Sequence, residues 1–294
     1  MTIFVTKIDT SLSLKLEQDL ENQGFTLSKP PYTLFSAAKP GVSCTLYQSG
    51  KLTVQGKNKD EFILYYLEPE ILKTTEFSHP PQTVDFTARI GGDEAGKGDF
   101  FGPLCIAAVY GDAKIIEELL KLGVKDSKEM TDPHMISLAP KIQAVAPSKV
   151  IKIFPSKYNE MYASFQNLNH LLAWGHAAAV SELSLQTGCK EVLIDQFAKA
   201  PLVDIALKKK GLRLNVTQRT KAESDPLVAA ASILARSAFV QGMDRLSDEA
   251  GFTLPKGAAS IVIKAGKRIL EQKGKEALAQ FCKLHFKTTQ EVLH

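Results

Sequence analysis

Adjacent carboxylates set among glycines are the first residues of this chain with chemistry to offer, in Gly91-Gly92-Asp93-Glu94-Ala95-Gly96-Lys97-Gly98. Gly91, Gly96 and Lys97 match the opening of a phosphate-binding P-loop, but Gly98 stands where that motif needs a hydroxyl for magnesium. Asp93 and Glu94 would also repel a triphosphate, and strand-like sequence follows where the motif needs a helix. Carboxylates paired at a strand end suit instead a hard divalent cation, which takes oxygen ligands and retains water.

Two further regions supply acids. Asp195 follows the apolar run Val192-Leu193-Ile194, at the carboxyl edge of a strand where ligand sites of α/β sheets collect. In Thr220-Lys221-Ala222-Glu223-Ser224-Asp225-Pro226 two acids compete. Asp225 before Pro226 has the pattern of a helix N-cap followed by proline at the first helical position, so its carboxylate is expected on backbone N–H groups. Glu223 is freer and becomes the fourth candidate ligand. His170 and His176 fall six apart on a helical run, off a shared face and without cysteine neighbours, so zinc is not expected. Trp174, with Leu168, Leu171 and Leu172, reads as helix core.

The elements that must position these acids alternate. The pattern predicts strands over 87–94 and 102–110 joined by the glycine-rich turn, then a helix over 113–122 and a strand over 149–154. It continues with a helical run over 158–186, a strand over 191–194, a helix over 202–209, a strand over 212–217 and a helix over 226–242. That order implies an α/β domain with a mixed sheet, since a short turn joins the first two strands. Neighbours on a regular strand point to opposite faces, so Asp93 and Glu94 are expected to share a site only if the strand ends or distorts there.

The N-terminal region is patterned differently. Apolar alternation over 2–6, a helix over 12–23, strands over 32–38, 42–48 and 51–55, and a helix over 60–72 predict a small βαββα-like sheet. In its hairpin Val42, Cys44, Leu46, Leu52 and Val54 fall on one face, and Ser43, Thr45, Tyr47, Lys51, Thr53 and Gln55 on the other. The polar stretch 73–81, ending in His79-Pro80-Pro81, reads as a linker, giving domains 1–80 and 81–294.

With 294 residues, 44% hydrophobic and 23% charged, the chain has the composition of a folded globular protein. Cys44, Cys105, Cys189 and Cys282 are widely spaced and read as reduced, and neither a signal peptide nor a spanning segment opens the chain, so a cytoplasmic location is expected. The net charge of +4 is unevenly spread. Lys29, Lys39, Lys51, Lys57 and Lys59 form a stretch without acids, and Lys256, Lys264, Lys267, Arg268, Lys273, Lys275, Lys283 and Lys287 form a second basic stretch. Both suit a phosphate backbone.

Taken together, Asp93-Glu94-Ala95-Gly96-Lys97-Gly98-Asp99, Phe101-Gly102-Pro103-Leu104, Asp126-Ser127-Lys128, Ile194-Asp195, Lys221-Ala222-Glu223 and the run from Ala229 to Arg236 resemble ribonuclease H of the HII/HIII branch. Lys97 in the glycine loop, glutamate at 223, Pro255-Lys256-Gly257-Ala258 and a separate N-terminal domain point to the ribonuclease HIII group within it. The resemblance covers about residues 88–260.

It implies a ribonuclease H fold in which Asp93, Glu94, Asp195 and Glu223 hold two Mg²⁺ or Mn²⁺ ions, on either side of the scissile phosphodiester, and cut the RNA strand of RNA/DNA hybrids to 5′-phosphate and 3′-hydroxyl ends. It further implies a TATA-binding-protein-like substrate-binding domain before the catalytic one. Substrate contacts are expected from Gly96, Lys97, Gly98, Ser127 and Lys128, and from Tyr47, Lys51, Lys57 and Lys59 on the N-terminal sheet. A monomer without membrane attachment is expected. Incision at a single ribonucleotide in DNA and catalytically silent hybrid binding are the competing readings.

Overall fold

A computed structural model of the chain describes residues 3–74, 84–125, 127–198 and 201–294. It divides into two compact units, Met1–Thr83 and Val84–His294. Most of the expected linker, and Asp126, lie outside the described residues.

The first unit is a five-stranded antiparallel sheet in the order β1-β5-β4-β3-β2, with β1 Phe4–Lys7, β2 Thr26–Ser28, β3 Thr33–Lys39, β4 Val42–Tyr47 and β5 Lys51–Gln55. Helix α1 (Ser13–Asn22) and the short α2 (Lys59–Phe62) cover one face, α2 running on as a π-helix over Ile63–Leu72 around Pro69. The two-residue period explains the packing. Val42, Cys44, Leu46, Leu52 and Val54 are buried against Leu16, Leu20, Phe62 and Leu67. On the outer face hydroxyls pair across strands, Ser36 Oγ lying 2.8 Å from Thr45 Oγ1. Short β2 escaped the sequence pattern.

The second unit carries a five-stranded mixed sheet in the order β10-β9-β6-β7-β8. Its strands are β6 Arg89–Ala95, β7 Leu104–Gly111, β8 Ser148–Ile153, β9 Glu191–Asp195 and β10 Asn215–Arg219. β6 and β9 run parallel, as do β9 and β10, while β7 is antiparallel to both of its neighbours. Helices α3 (Ala113–Lys121) and α4 (Asp132–Val145) follow β7, and the expected long run over 158–186 is two helices, α5 (Pro155–Phe165) and α6 (Leu168–Thr187). Gln166 at φ 51° ends the first, and the Asn167 side chain caps the second.

After β9 come α7 (Leu202–Lys209) and α8 (Pro226–Ala250), and α9 (Ser260–Lys273), α10 (Leu278–Phe281) and α11 (Thr288–Leu293) complete the unit. By length and hydropathy α8 is apolar enough to span a bilayer, but 83% of its most apolar window is buried inside the domain, as befits a core helix. It packs on the sheet face that carries Cys105, Ala107 and Val109, whereas α6 covers the face of Ile106 and Ala108. Gly91 permits the approach of α8, since a Cβ there would lie 2.4 Å from the Leu227 carbonyl carbon.

The second basic stretch is only partly a surface patch. Lys283 is fully buried, its Nζ donating to the carbonyls of Asp99 at 2.8 Å and Phe101 at 3.2 Å. Its own N–H donates to the Phe100 carbonyl. Burial brings its ammonium down to about 7. Arg268 lies 4.1 Å over the Phe252 ring, and Lys256 pairs with Asp132. Cys44, Cys105 and Cys282 are free and buried, as small apolar side chains are; Cys189 is free and half-buried.

Candidate active site

The parallel pairing of β6 with β9 ends at Gly92 opposite Ile194, while β6 stays paired with β7 as far as Ala95. Asp93 and Glu94 therefore sit on a regular strand whose β9 side has opened. The sequence led us to expect an ending or distortion of the strand; the divergence of its neighbour serves instead. Asp93 lies opposite Ala107 on the α8 face and Glu94 opposite Ile106 on the α6 face, and both reach the same cleft at the open edge.

The cleft has a volume of about 320 Å³ and is lined by Asp93, Glu94, Asp195 and Glu223 with Lys97, Lys128 and Arg236. Gly96, Ser127 and Ser232 also border it. Asp195 is the last residue of β9, and its Oδ1 accepts the Ala222 N–H at 3.0 Å. That bond sets the short turn in which Lys221 takes φ 57° and Glu223 faces the cleft. Asp225 is turned away. Its Oδ1 caps α8 through the N–H groups of Leu227 and Val228, and its Oδ2 accepts from buried Arg89, with Nε at 2.8 Å.

Electrostatics explain why these acids need company. Burial pushes the Asp93 carboxyl up to about 7, helped by the charges of Glu94 and, less, Asp195. Asp195 is raised by burial and by Glu223 and Glu94, against the Ala222 N–H. At Glu94 burial opposes ionisation, yet the hydrogen bond from His176 and the Lys97 ammonium hold the carboxyl below its usual range. Glu223 behaves alike: burial opposes its charge, and Lys128 heads the groups that pull it below the usual range.

Among the described residues no three acids, histidines or cysteines stand close enough to form a ready-made metal cage. The reason is visible in the pairs: Lys97 Nζ lies 2.7 Å from Glu94 Oε1, and Lys128 Nζ is bonded to Glu223 Oε1. The donor set still fits hard divalent cations. It consists of carboxylate oxygens, and burial, with repulsion from Glu94 behind it, keeps Asp93 from ionising easily.

The glycine loop divides in role. Gly96 has φ 86°, and a Cβ there would stand 2.3 Å from the Pro103 carbonyl oxygen, so the fold itself requires glycine. Gly98 is exposed with open space where a Cβ would go. On the N-terminal unit Tyr47 ends β4 and Lys51 opens β5, but Lys59 starts α2 with its ammonium on Asp60. Lys57 is exposed beside the Gly41 turn. Lys7 and Lys51, directly opposite on β1 and β5, both point outward, and neither ammonium has an ion-pair partner among the described residues. Lys7 was not picked out from the sequence because only the strand register brings it beside Lys51. Likewise His176, read from sequence as a bland helix residue, is fully buried with Nε2 3.0 Å from Glu94 Oε2.

A mixed sheet opening onto a four-carboxylate cleft, preceded by a small sheet domain, defines a ribonuclease H-like nuclease. The sequence model of the family Ribonuclease HII matches residues 90–289, and that of a domain of unknown function, DUF3378, matches residues 3–89. Ribonuclease HIII of Protochlamydia amoebophila is 54% identical over 99% of this chain and 96% of its own length. That of Chlamydia caviae is 48% identical over 99% and 97%. The crystal structure of Bst-RNase HIII in complex with Mn²⁺ superposes with a TM-score of 0.69 at 31% identity, covering 99% of this chain and 98% of that one. The chain belongs to the ribonuclease HIII family and is an endoribonuclease.

Proposed function

We propose that this enzyme hydrolyses the RNA strand of RNA/DNA hybrids, with Asp93, Glu94, Asp195 and Glu223 holding two divalent ions, Mg²⁺ or Mn²⁺. The observation that carries the reading is the convergence of these four acids on one cleft. When bound, the ions supply Lewis acidity to the attacking water and to the leaving oxygen. A water oxygen joins phosphorus, the bond from phosphorus to the 3′ oxygen breaks, and that oxygen leaves with a proton, giving 5′-phosphate and 3′-hydroxyl ends. Lys97 and Lys128 exchange their carboxylates for substrate phosphates as hybrid enters, and Ser127 lies beside Ser232 at the same rim. The exposed backbone at Gly98 is free to approach a ribose, whose 2′-hydroxyl marks RNA.

The N-terminal unit binds the duplex through the outer face of its sheet, where Lys7 and Lys51 stand side by side. Like charges directly opposite across a sheet destabilise it, and a phosphate between them relieves the repulsion. Tyr47 and the hydroxyls of Ser43, Thr45 and Thr53 complete the face. The enzyme acts as a cytoplasmic monomer. The reading is tested with end-labelled RNA/DNA, all-RNA and single-ribonucleotide DNA duplexes, with and without divalent metal. Metal-dependent cutting of the hybrid alone supports it, cutting only at the lone ribonucleotide favours the rival specificity, and binding without cutting overturns it.

A further inference from the structure

His176 is fully buried on α6, where the nearby Leu172, Ala173, Ala177 and Val180 are buried too. An imidazole in such a place needs partners, and among the described residues this one has a single hydrogen bond, from Nε2 to Glu94 Oε2. Nδ1 is buried without a partner. An apolar side chain of similar size would fill the place without stranding a polar atom, so packing alone does not account for histidine here. The ring also lies parallel to Phe197, planes 7° apart and centroids 5.3 Å apart. Phe197 is two residues beyond Asp195. On another side the ring occupies the space beside Gly92, where a Cβ would lie 3.3 Å from Nδ1. One buried ring therefore touches Glu94, the residue before Asp93 and the segment that follows Asp195.

The two oxygens of Glu94 are held differently. Oε2 is on His176, which has no exposure, whereas Oε1 is on Lys97, whose side chain is 49% exposed. The lysine can swing into solvent; the histidine cannot. We infer that His176 is a positioning residue: it anchors Glu94 Oε2 so that Oε1 is presented to the cleft, and through Gly92 and Phe197 it fixes the opening between β6 and β9. The inference rests on the reading of Glu94 as a metal ligand. Partners of this kind, one step behind a ligand, are typically worth roughly ten- to a hundred-fold in metal affinity or activity.

The test uses the full chain with His176→Phe, which keeps ring and stack but loses the donor, and His176→Gln, whose side-chain amide can still donate to Glu94. Calorimetric Mn²⁺ titration without nucleic acid, and kcat and KM on hybrid, are measured for both. In the Phe variant Mn²⁺ affinity and kcat each fall at least about ten-fold while KM for hybrid stays within about two-fold, and the Gln variant regains most of the loss. Wild-type Mn²⁺ affinity and kcat in the Phe variant overturn the inference, as does an equal loss in both variants. Nitrogen-15 imidazole spectra of the unmutated protein provide a measurement independent of variant folding: hydrogen on Nε2 of His176 is expected, and a bare Nε2 overturns the inference. Glu94→Gln separates the two levels. If it cleaves normally, the site reading fails; if it is dead while His176→Phe is unaffected, only the positioning role fails.

Discussion

Lys97 Nζ lies 2.7 Å from Glu94 Oε1, so the loop that carries the acid also carries a cation to occupy it. Lys97→Met removes this competitor. Mn²⁺ binding to the free enzyme is expected to tighten by up to about five-fold, matching the ~1 kcal/mol ceiling for a pair with one half-exposed partner. Hybrid affinity falls, and its salt slope drops by about one, the amount for one phosphate contact. Calorimetry and binding across a salt series check both; weaker Mn²⁺ binding contradicts the competition.

Substitutions at the two glycines of the loop are expected to separate folding from recognition. Gly96→Ala clashes with the Pro103 carbonyl and lowers thermal stability. Gly98→Ala has room for its methyl group and leaves the melting temperature within a degree or two, while raising KM for hybrid. An unchanged KM removes Gly98 from the substrate contacts.

Glu223 and Asp225 are expected to fail in different ways. Glu223→Gln loses cleavage by more than the roughly ten- to hundred-fold typical of a residue that only supports a ligand, with its fold intact. As a helix cap alone, Asp225→Asn would be mild, since asparagine also caps helices. The ion pair with Arg89 alters that expectation: both partners are less than a tenth exposed. Breaking it is expected to destabilise the protein by ~3 kcal/mol, with activity per folded molecule retained. Denaturant melts and active-site titration distinguish these outcomes.

The Asp93 carboxyl, raised to about 7, keeps a proton in the folded metal-free protein that the unfolded chain loses near 3.8. Its contribution to stability therefore falls as pH rises between those values and is flat above the higher one. Mn²⁺ uptake at pH 6 must expel that proton. Calorimetry in two buffers of different ionisation enthalpy is expected to show the release, and Asp93→Asn to lack it.

On the N-terminal sheet, Lys7→Glu with Lys51→Glu is expected to weaken hybrid binding and to reduce the salt slope by about two. Lys59→Ala, whose ammonium is on Asp60, changes affinity little. The opposite ranking moves the binding face to the α2 side.

What could be read from the sequence follows from the range of the interactions involved. Two-residue alternation in β4 and β5 and the Asp225-Pro226 cap are local, and they stand in the structure where the pattern put them. The break between α5 and α6 is also local, but it depends on Gln166 taking a left-handed conformation that no residue preference announces. His176 could not be found because its partner is 82 positions away, joined only once β6 and α6 pack. Lys283 looked like surface charge for the same reason. Its carbonyl partners are set by the bridge between Phe101 and Cys282, which no periodicity encodes.

The Lys283 clasp also orders events in time. It closes on the Asp99 carbonyl across 184 residues, so this last fastening of the segment after the glycine loop, beyond the bond from Gly257 to Asp99, waits until the ribosome has made that much more chain. At 5–20 residues per second the delay is roughly ten to forty seconds. All four acids have emerged by then, and the Lys283 contact is added only afterwards. A nascent chain thus has its four cleft acids before the last contact that holds the neighbouring loop can form.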